Sequence, residues 1–177
     1  MKLLILDRDG VINHDSAHYI KSPDEWRPIA GSLEAIARFT QAGWRIVVAT
    51  NQAGVGRGLF DMATLNAIHA KMHRAVNQVG GRIEAVFYCP DTAESNSPNR
   101  KPNPGMYYAI SERYGASLAK VPAIGDSQRD LDAANSCGAQ PMLVLTGNGT
   151  KTRDKGEMPP GTPIYPDLAS AATALLQ

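Results

Sequence analysis

The sequence predicts a doubly wound, Rossmann-like α/β fold: a parallel sheet with helices on both faces. Three observations predict it. Short aliphatic runs alternate with segments of helical periodicity from one end of the chain to the other. The runs lack polar alternation, which is the pattern of strands buried on both faces. Polar residues able to do chemistry gather where the runs stop, and ligands of open α/β sheets bind at that carboxyl edge.

Residues 3–6 form a first apolar run that ends in acids. Residues 31–41 carry Leu33, Ile36, Ala37 and Phe39 near helical spacing, with Ser32 as candidate N-cap and Gly43 as stop. Residues 45–49 are a β-branched second strand. Asp61 is placed to cap a helix to about residue 79, with Leu65, Ile68, Met72 and Val76 on one face and Gly80-Gly81 behind it. Residues 83–88 are a third strand. Residues 91–103, rich in Asn, Ser, Pro and Asp, are loop. Pro104 opens a helix to about residue 114. Residues 121–124 and 141–145 are the fourth and fifth strands, separated by a helix over 127–137 that Gly138 ends. Residues 147–163 show Gly, Pro and charge without periodicity, and a short helix over 167–176 closes the chain.

The length of 177 residues suits a single domain, 1–177, with no internal repeat or linker. The two cysteines, Cys89 and Cys137, form no spaced cluster, so neither a disulfide framework nor a zinc site is expected. A formal charge of +1 gives no field for nucleic acid or an anionic membrane. The N-terminal apolar run is too short for a signal peptide, and no segment approaches the ~20 apolar residues of a membrane helix. A cytoplasmic monomer is the expectation.

Four polar groups sit at the strand ends: Asp7-Arg8-Asp9-Gly10, Thr50-Asn51-Gln52, Arg100-Lys101-Pro102 and Gly125-Asp126-Ser127, with Asp130 a helical turn further on. Taken singly, each has a plain structural reading: a turn residue, a helix cap or a surface charge. Four in this order, each at a strand end or just before a helix, point to a site.

The set resembles the motifs of the haloacid-dehalogenase (HAD) superfamily: Asp-x-Asp-Gly, a Ser or Thr after the second strand, a Lys, and Gly-Asp with a further acid. The likeness runs from about residue 2 to 145. The stretches Asp-Arg-Asp-Gly-Val-Ile-Asn (7–13), Thr-Asn-Gln-Ala-Gly-Val-Gly-Arg-Gly (50–58), Tyr-Cys-Pro (88–90) and Arg-Lys-Pro-Asn-Pro-Gly-Met (100–106) are similar to its heptose bisphosphate phosphatase branch, to which histidinol-phosphate phosphatases are related.

The resemblance implies a magnesium-dependent phosphomonoesterase. Asp7 would be the nucleophile, forming an aspartyl phosphate that divides a difficult hydrolysis into two steps. Asp9 would protonate the leaving alcohol and later deprotonate water, and crowding by a second carboxylate would help it hold a proton. The chain would turn after Asp7 so that the Asp9 carbonyl faces the metal, with Gly10 permitting the close approach. Asp7, the Asp9 carbonyl and Asp126 would hold magnesium, with Asp130 behind them. Thr50 and the Asn51 amide would meet phosphoryl oxygens, Lys101 would hold both Asp7 and the phosphate, and Arg100 would take the substrate or a second phosphate. Gln52, Arg57, Asp15, His18 and Tyr19 lie in stretches able to line the mouth. His69 and His73, four apart, read as a helix-surface pair rather than a metal site.

The sequence leaves room for one helix between Asp7 and Thr50, and for one helix and one strand between Asn51 and Lys101, so no cap domain is expected. Of the Cys and His ligands that many of the heptose phosphatases carry in a zinc loop, only Cys89 is present, so no zinc is expected. Ser127 stands where some members have Lys, which leaves substrate choice open. The substrate implied is a small phosphorylated sugar, the 7-phosphate of a heptose 1,7-bisphosphate, in lipopolysaccharide-core biosynthesis. Histidinol phosphate is the close alternative. A receiver-type phospho-acceptor domain would place its acceptor after the third strand, and a nucleic-acid 3′-phosphatase would show a basic, aromatic track that is missing here. A binding scaffold with a dead site fits poorly with a complete motif set.

Overall fold

β1 (Leu3–Leu6) is buried at all four positions. Alternation along the strand sends Leu4 and Leu6 into one apolar cluster and Leu3 and Ile5 into another. The strand is therefore covered on both faces. The computed structural model describes residues 1–177. The other strands are β2 (Arg45–Asn51), β3 (Ala85–Cys89), β4 (Pro122–Gly125), β5 (Gln140–Val144) and β6 (Ile164–Tyr165). They form one sheet in the order β3-β2-β1-β4-β5-β6, and every neighbouring pair is parallel.

The helices are α1 (Ser32–Gln41), α2 (Ala53–Gly56), α3 (Met62–Gln78), α4 (Gly105–Tyr114), α5 (Gln128–Ser136), α6 (Gly149–Lys155) and α7 (Leu168–Leu175). Ile36 and Phe39 of α1, Ile68 and Met72 of α3, and Ala171 of α7 pack with Leu4 and Leu6. Met106 and Ile110 of α4, with Ala133 and Ala134 of α5, pack with Leu3 and Ile5 on the opposite face. This is the doubly wound arrangement that the apolar runs predict.

Local chemistry sets most boundaries. The Asp61 carboxylate accepts from Thr64 N at 2.8 Å and starts α3, and Asp167 accepts from Ser170 N at 2.7 Å to start α7. Gly43, at φ 81, ends the turn after α1. Ser32 is not the N-cap expected of it. Gly31 takes that position, and the Ser32 hydroxyl donates instead to Val11 O at 2.7 Å.

Residues 147–163 are not simply the structureless crossing that the sequence suggests. They contain α6, whose buried positions are Gly149 and Thr152. A helix that buries a glycine and a threonine has no apolar stripe, so periodicity is silent about it. β6 is only a two-residue edge strand paired with β5. No helix is long and apolar enough to cross a membrane.

The strand order reverses between β1 and β4, which opens a crevice at their carboxyl ends. Between β1 and α1 the chain makes only loop and a 3-10 turn over Pro23–Glu25, and between β2 and β3 it makes α2 and α3. No further layer of secondary structure is inserted on the crevice side.

Candidate active site

Asp7 leaves β1 still tied to β4, its N–H donating to Ile124 O at 3.0 Å. The chain then turns: Arg8 N donates to Asp7 Oδ1 at 2.8 Å, and Gly10 N donates to Asn13 O at 2.8 Å. The turn requires φ 85 at Gly10, and a β-carbon there would run into the Asp126 carboxylate. Gly10→Ala is therefore expected to destabilise the fold by about 1–3 kcal/mol, the scale of one strained backbone position. Denaturant unfolding measures it; an unchanged midpoint would contradict the packing described.

Lys101 is 2% exposed. Its ammonium has three acceptors: Asp130 Oδ1 at 2.7 Å, Ala49 O at 2.7 Å and Asp7 Oδ1 at 3.0 Å. Its backbone is docked by a reciprocal pair, Asn51 Nδ2 to Lys101 O and Lys101 N to Asn51 Oδ1, both 3.0 Å. The other oxygen of Asp130 accepts from Asp126 N at 3.1 Å, Ser127 N at 3.0 Å and the Ser127 hydroxyl at 2.9 Å. Asp126 Oδ2 accepts from Asn148 N at 2.7 Å.

Oxygens of Asp7, Asp126 and Asp130 lie within 4.8 Å of one another. Asp130 has its acceptor capacity filled by Lys101 and the start of α5, so it is a poor ligand despite its place in the cluster. Asp7 Oδ2 and Asp126 Oδ1 have no donor within the protein. Four carboxylates, with Asp9, face only two buried cations, Arg8 and Lys101. Burial, then Asp130, pushes Asp7 up to about 7. Burial, then Asp130 and Asp7, pushes Asp126 up to about 9. Burial opposes ionisation of Asp130 and Lys101 too, but their mutual attraction outweighs it: Asp130 is held below the ordinary carboxylate range and Lys101 above the ordinary ammonium range. Two hard oxygens without donors in an over-negative cluster are a fit donor set for a divalent cation.

These groups line one cavity of about 260 Å³. It is also lined by Thr50, Asn51, Gln52 and Asp9 on one side and by Asp15, Tyr19, Arg57 and Arg100 towards the mouth. The structure thus brings twelve of the thirteen expected residues to one place; His18, exposed on the same loop as Asp15 and Tyr19, does not line this cavity. Two face differently from expectation. The Asn51 side chain is spent on the Lys101 backbone, and Gln52, 3% exposed, uses its amide inside the protein. Thr50 Oγ1 accepts from Gln52 Nε2 at 2.9 Å, and its own hydrogen has only a long 3.5 Å contact with Asn51 O.

Arg100 donates to Asp91 O at 3.3 Å, and burial followed by the charge of Arg129 lowers its affinity for its proton. Arg57 pairs with Glu94 at 3.5 Å. Arg129 and Asn148 also line the cavity, and sequence reasoning passed over both. Asn148 Nδ2 reaches Asp15 Oδ2 at 3.1 Å, which links the β1 loop to Asp126. His69 is no surface residue. It is 8% exposed, and its Nε2 lies 3.1 Å from Arg8 Nη1.

A HAD-hydrolase-like family model matches residues 98–171, the part that carries Lys101, Asp126 and Asp130. A D-glycero-beta-D-manno-heptose-1,7-bisphosphate 7-phosphatase of Bordetella bronchiseptica is 59% identical over 177 residues, covering 100% of this chain and 99% of the relative. The chain belongs to the HAD phosphatase family. A phosphatase of the same description from Pseudomonas aeruginosa is 51% identical over 175 residues, covering 99% of this chain and 98% of that one. A crystal structure of the B. bronchiseptica D,D-heptose 1,7-bisphosphate phosphatase, complexed with magnesium and phosphate, matches with a TM-score of 0.99 at 59% identity, over 100% of this chain and 99% of that one. As a HAD phosphatase, the chain is a hydrolase of phosphate esters.

Proposed function

We propose that the chain removes the 7-phosphate of D-glycero-β-D-manno-heptose 1,7-bisphosphate, in the supply of activated heptose for lipopolysaccharide, through an aspartyl phosphate on Asp7. The observation that carries the reading is the buried Asp7–Lys101–Asp130 chain beside Asp9 at the β1–β4 crevice. Lys101 holds and orients the Asp7 carboxylate through Oδ1, and that carboxylate is the attacking group. The bond from phosphorus to Asp7 forms as the bond to the sugar oxygen breaks, and Asp9 gives that oxygen its proton. Asp9 then takes a proton from water, whose oxygen attacks phosphorus and releases Asp7 and inorganic phosphate. The Thr50 hydroxyl and the Lys101 ammonium stabilise the charge of the transferring oxygens.

Magnesium is the proposed cation, with Asp7, Asp126 and the Asp9 carbonyl as its ligands and Asp130 behind them. Bound there, it offsets the repulsion between carboxylate and phosphate and draws charge from the phosphoryl oxygens. The B. bronchiseptica relative crystallised with magnesium and phosphate supports this choice. Its dependence on pH is testable. Asp7 and Asp126 bind protons more tightly folded than unfolded, so the metal-free protein loses stability as pH rises from about 4 through their raised values. Cation binding needs both groups ionised. The rise in melting temperature with magnesium is therefore expected to be larger at alkaline than at mildly acid pH; an equal rise at both would contradict the ligand set.

Arg57, Arg100 and Arg129 stand at the mouth, where a second phosphate would be held. Histidinol phosphate has no second phosphate, so this basic rim favours the bisphosphate. The test is phosphate release from both anomers of heptose 1,7-bisphosphate and from histidinol phosphate, with and without magnesium. Metal-dependent release concentrated on the β-anomer is expected. Preferential release from histidinol phosphate would overturn the assignment.

A further inference from the structure

Arg8 stands between the two motif aspartates, yet it is wholly buried. A buried guanidinium must find acceptors for a rigid fork of N–H donors. Nε and Nη2 each lie 2.8 Å from Asp9 Oδ1. Nη2 also donates to Gln52 Oε1 at 3.3 Å, and Nη1 faces His69 Nε2 at 3.1 Å.

Arginine only donates, so it fixes the chemistry of both neighbours. His69 must present a bare Nε2 and carry its proton on Nδ1. Burial, followed by the charge of Arg8, lowers its pKa to about 3 and keeps the ring neutral. Gln52 must turn its oxygen to Arg8 and its NH₂ the other way, where it donates to Asp9 Oδ2 at 3.1 Å and to Thr50 Oγ1 at 2.9 Å. Arg8, Asp9 and Gln52 therefore close a ring, which His69 braces from α3.

The ring makes the two oxygens of Asp9 unlike. Oδ1 takes both nitrogens of the Arg8 fork and Asn13 Nδ2 at 2.9 Å. Oδ2 takes Gln52 alone. We infer that Arg8, His69 and Gln52 are positioning residues for proton transfer: Arg8, braced by His69 and Gln52, occupies Asp9 Oδ1, and Gln52 orients Oδ2, the atom that gives and takes the proton. The inference rests on the reading of Asp9 as general acid and base. In the first step the Oδ2–H bond breaks as the O–H bond of the sugar alcohol forms; in the second, Oδ2 regains a proton from water.

The dependence on leaving group separates this role from a merely structural one. A sugar alkoxide needs a proton to leave, and p-nitrophenolate does not. kcat/KM, which reports formation of the phospho-enzyme, is to be measured with heptose 1,7-bisphosphate and with p-nitrophenyl phosphate, both with magnesium. Asp9→Asn, the reference, is expected to lose about 10²- to 10⁴-fold on the sugar phosphate and far less on the aryl ester. His69→Leu removes the brace and is expected to lose about tenfold or more on the sugar phosphate, in kcat rather than KM, with little change on the aryl ester. His69→Gln keeps an acceptor for Arg8 and is expected to recover most of that loss. Gln52→Met breaks the ring from the opposite side and carries the test if His69→Leu does not fold. Equal losses on both substrates in Asp9→Asn would overturn the acid–base reading itself. A selective loss in Asp9→Asn, with equal losses on both substrates in His69→Leu and Gln52→Met, would overturn this inference and leave that reading standing.

Discussion

Asp7→Asn is expected to fold as the parent does and to lose turnover by about 10⁴-fold or more, the scale for removing a catalytic nucleophile. The substitution keeps the shape of the side chain and an oxygen able to accept from Arg8 N and Lys101, both of which now meet Oδ1. What it removes is the charge, and with it the anionic carboxylate that would attack phosphorus. Stability moves the other way from activity. Burial and the neighbouring Asp130 already disfavour the Asp7 anion, so a neutral amide relieves repulsion in the metal-free protein. The melting temperature without magnesium is expected to be equal to or above that of the parent at neutral pH and higher. Magnesium is expected to stabilise the variant less than the parent, since a ligand charge is gone. Phosphate release and thermal unfolding on one preparation check both halves. Retained turnover would remove Asp7 as nucleophile, and a lowered melting temperature would contradict the electrostatic account of the cluster.

Lys101→Met should be the costliest single change for stability and activity together. The ammonium is the link among Asp7, Asp130 and the Ala49 carbonyl, at 3.0, 2.7 and 2.7 Å. Methionine fills most of the volume but leaves two buried carboxylates facing each other without a cation. Breaking a buried pair from one side costs about 3–5 kcal/mol. The change also removes a preorganised charge from the transferring phosphoryl group, worth about 10²- to 10³-fold in kcat. Denaturant unfolding and turnover are expected to fall together, and low pH is expected to recover part of the stability by protonating Asp7. A variant as stable as the parent would show that Lys101 is not the buried partner of Asp7 and Asp130.

The fold was legible because apolar runs 3–6, 45–49, 121–124 and 141–145 stop abruptly at polar residues, and a parallel sheet with both faces covered is the economical reading of that pattern. The inner site was legible for the same reason: Asp7 and Asp126 directly follow β1 and β4, and Thr50 is the penultimate residue of β2. Arg8 was not, because a charged residue between two acids looks like surface, and it is the folded chain that buries it with His69 behind it. A signal for His69 did exist. It lies four residues after Leu65 and next to Ile68, on the face that α3 buries. Asn148 and the short helix α6 left no trace, since an element that buries Gly149 and Thr152 has no apolar periodicity to detect. Arg129 was hidden by its place between Gln128 and Asp130 at the start of α5, where a charge ordinarily serves the solvent. Asn51 and Gln52 were found as site residues, but sequence has no means of telling an amide that faces a substrate from one that holds a neighbour.

The central claim is that the 7-phosphate passes through Asp7. Heptose 1,7-bisphosphate carrying a radiolabel only in its 7-phosphate, mixed with enzyme and magnesium and quenched in acid during the first turnover, tests it most directly. Label bound to protein and recovered in the peptide that contains Asp7 is the expected result, with none in Asp7→Asn. Label on any other residue, or full hydrolysis by Asp7→Asn, would contradict it.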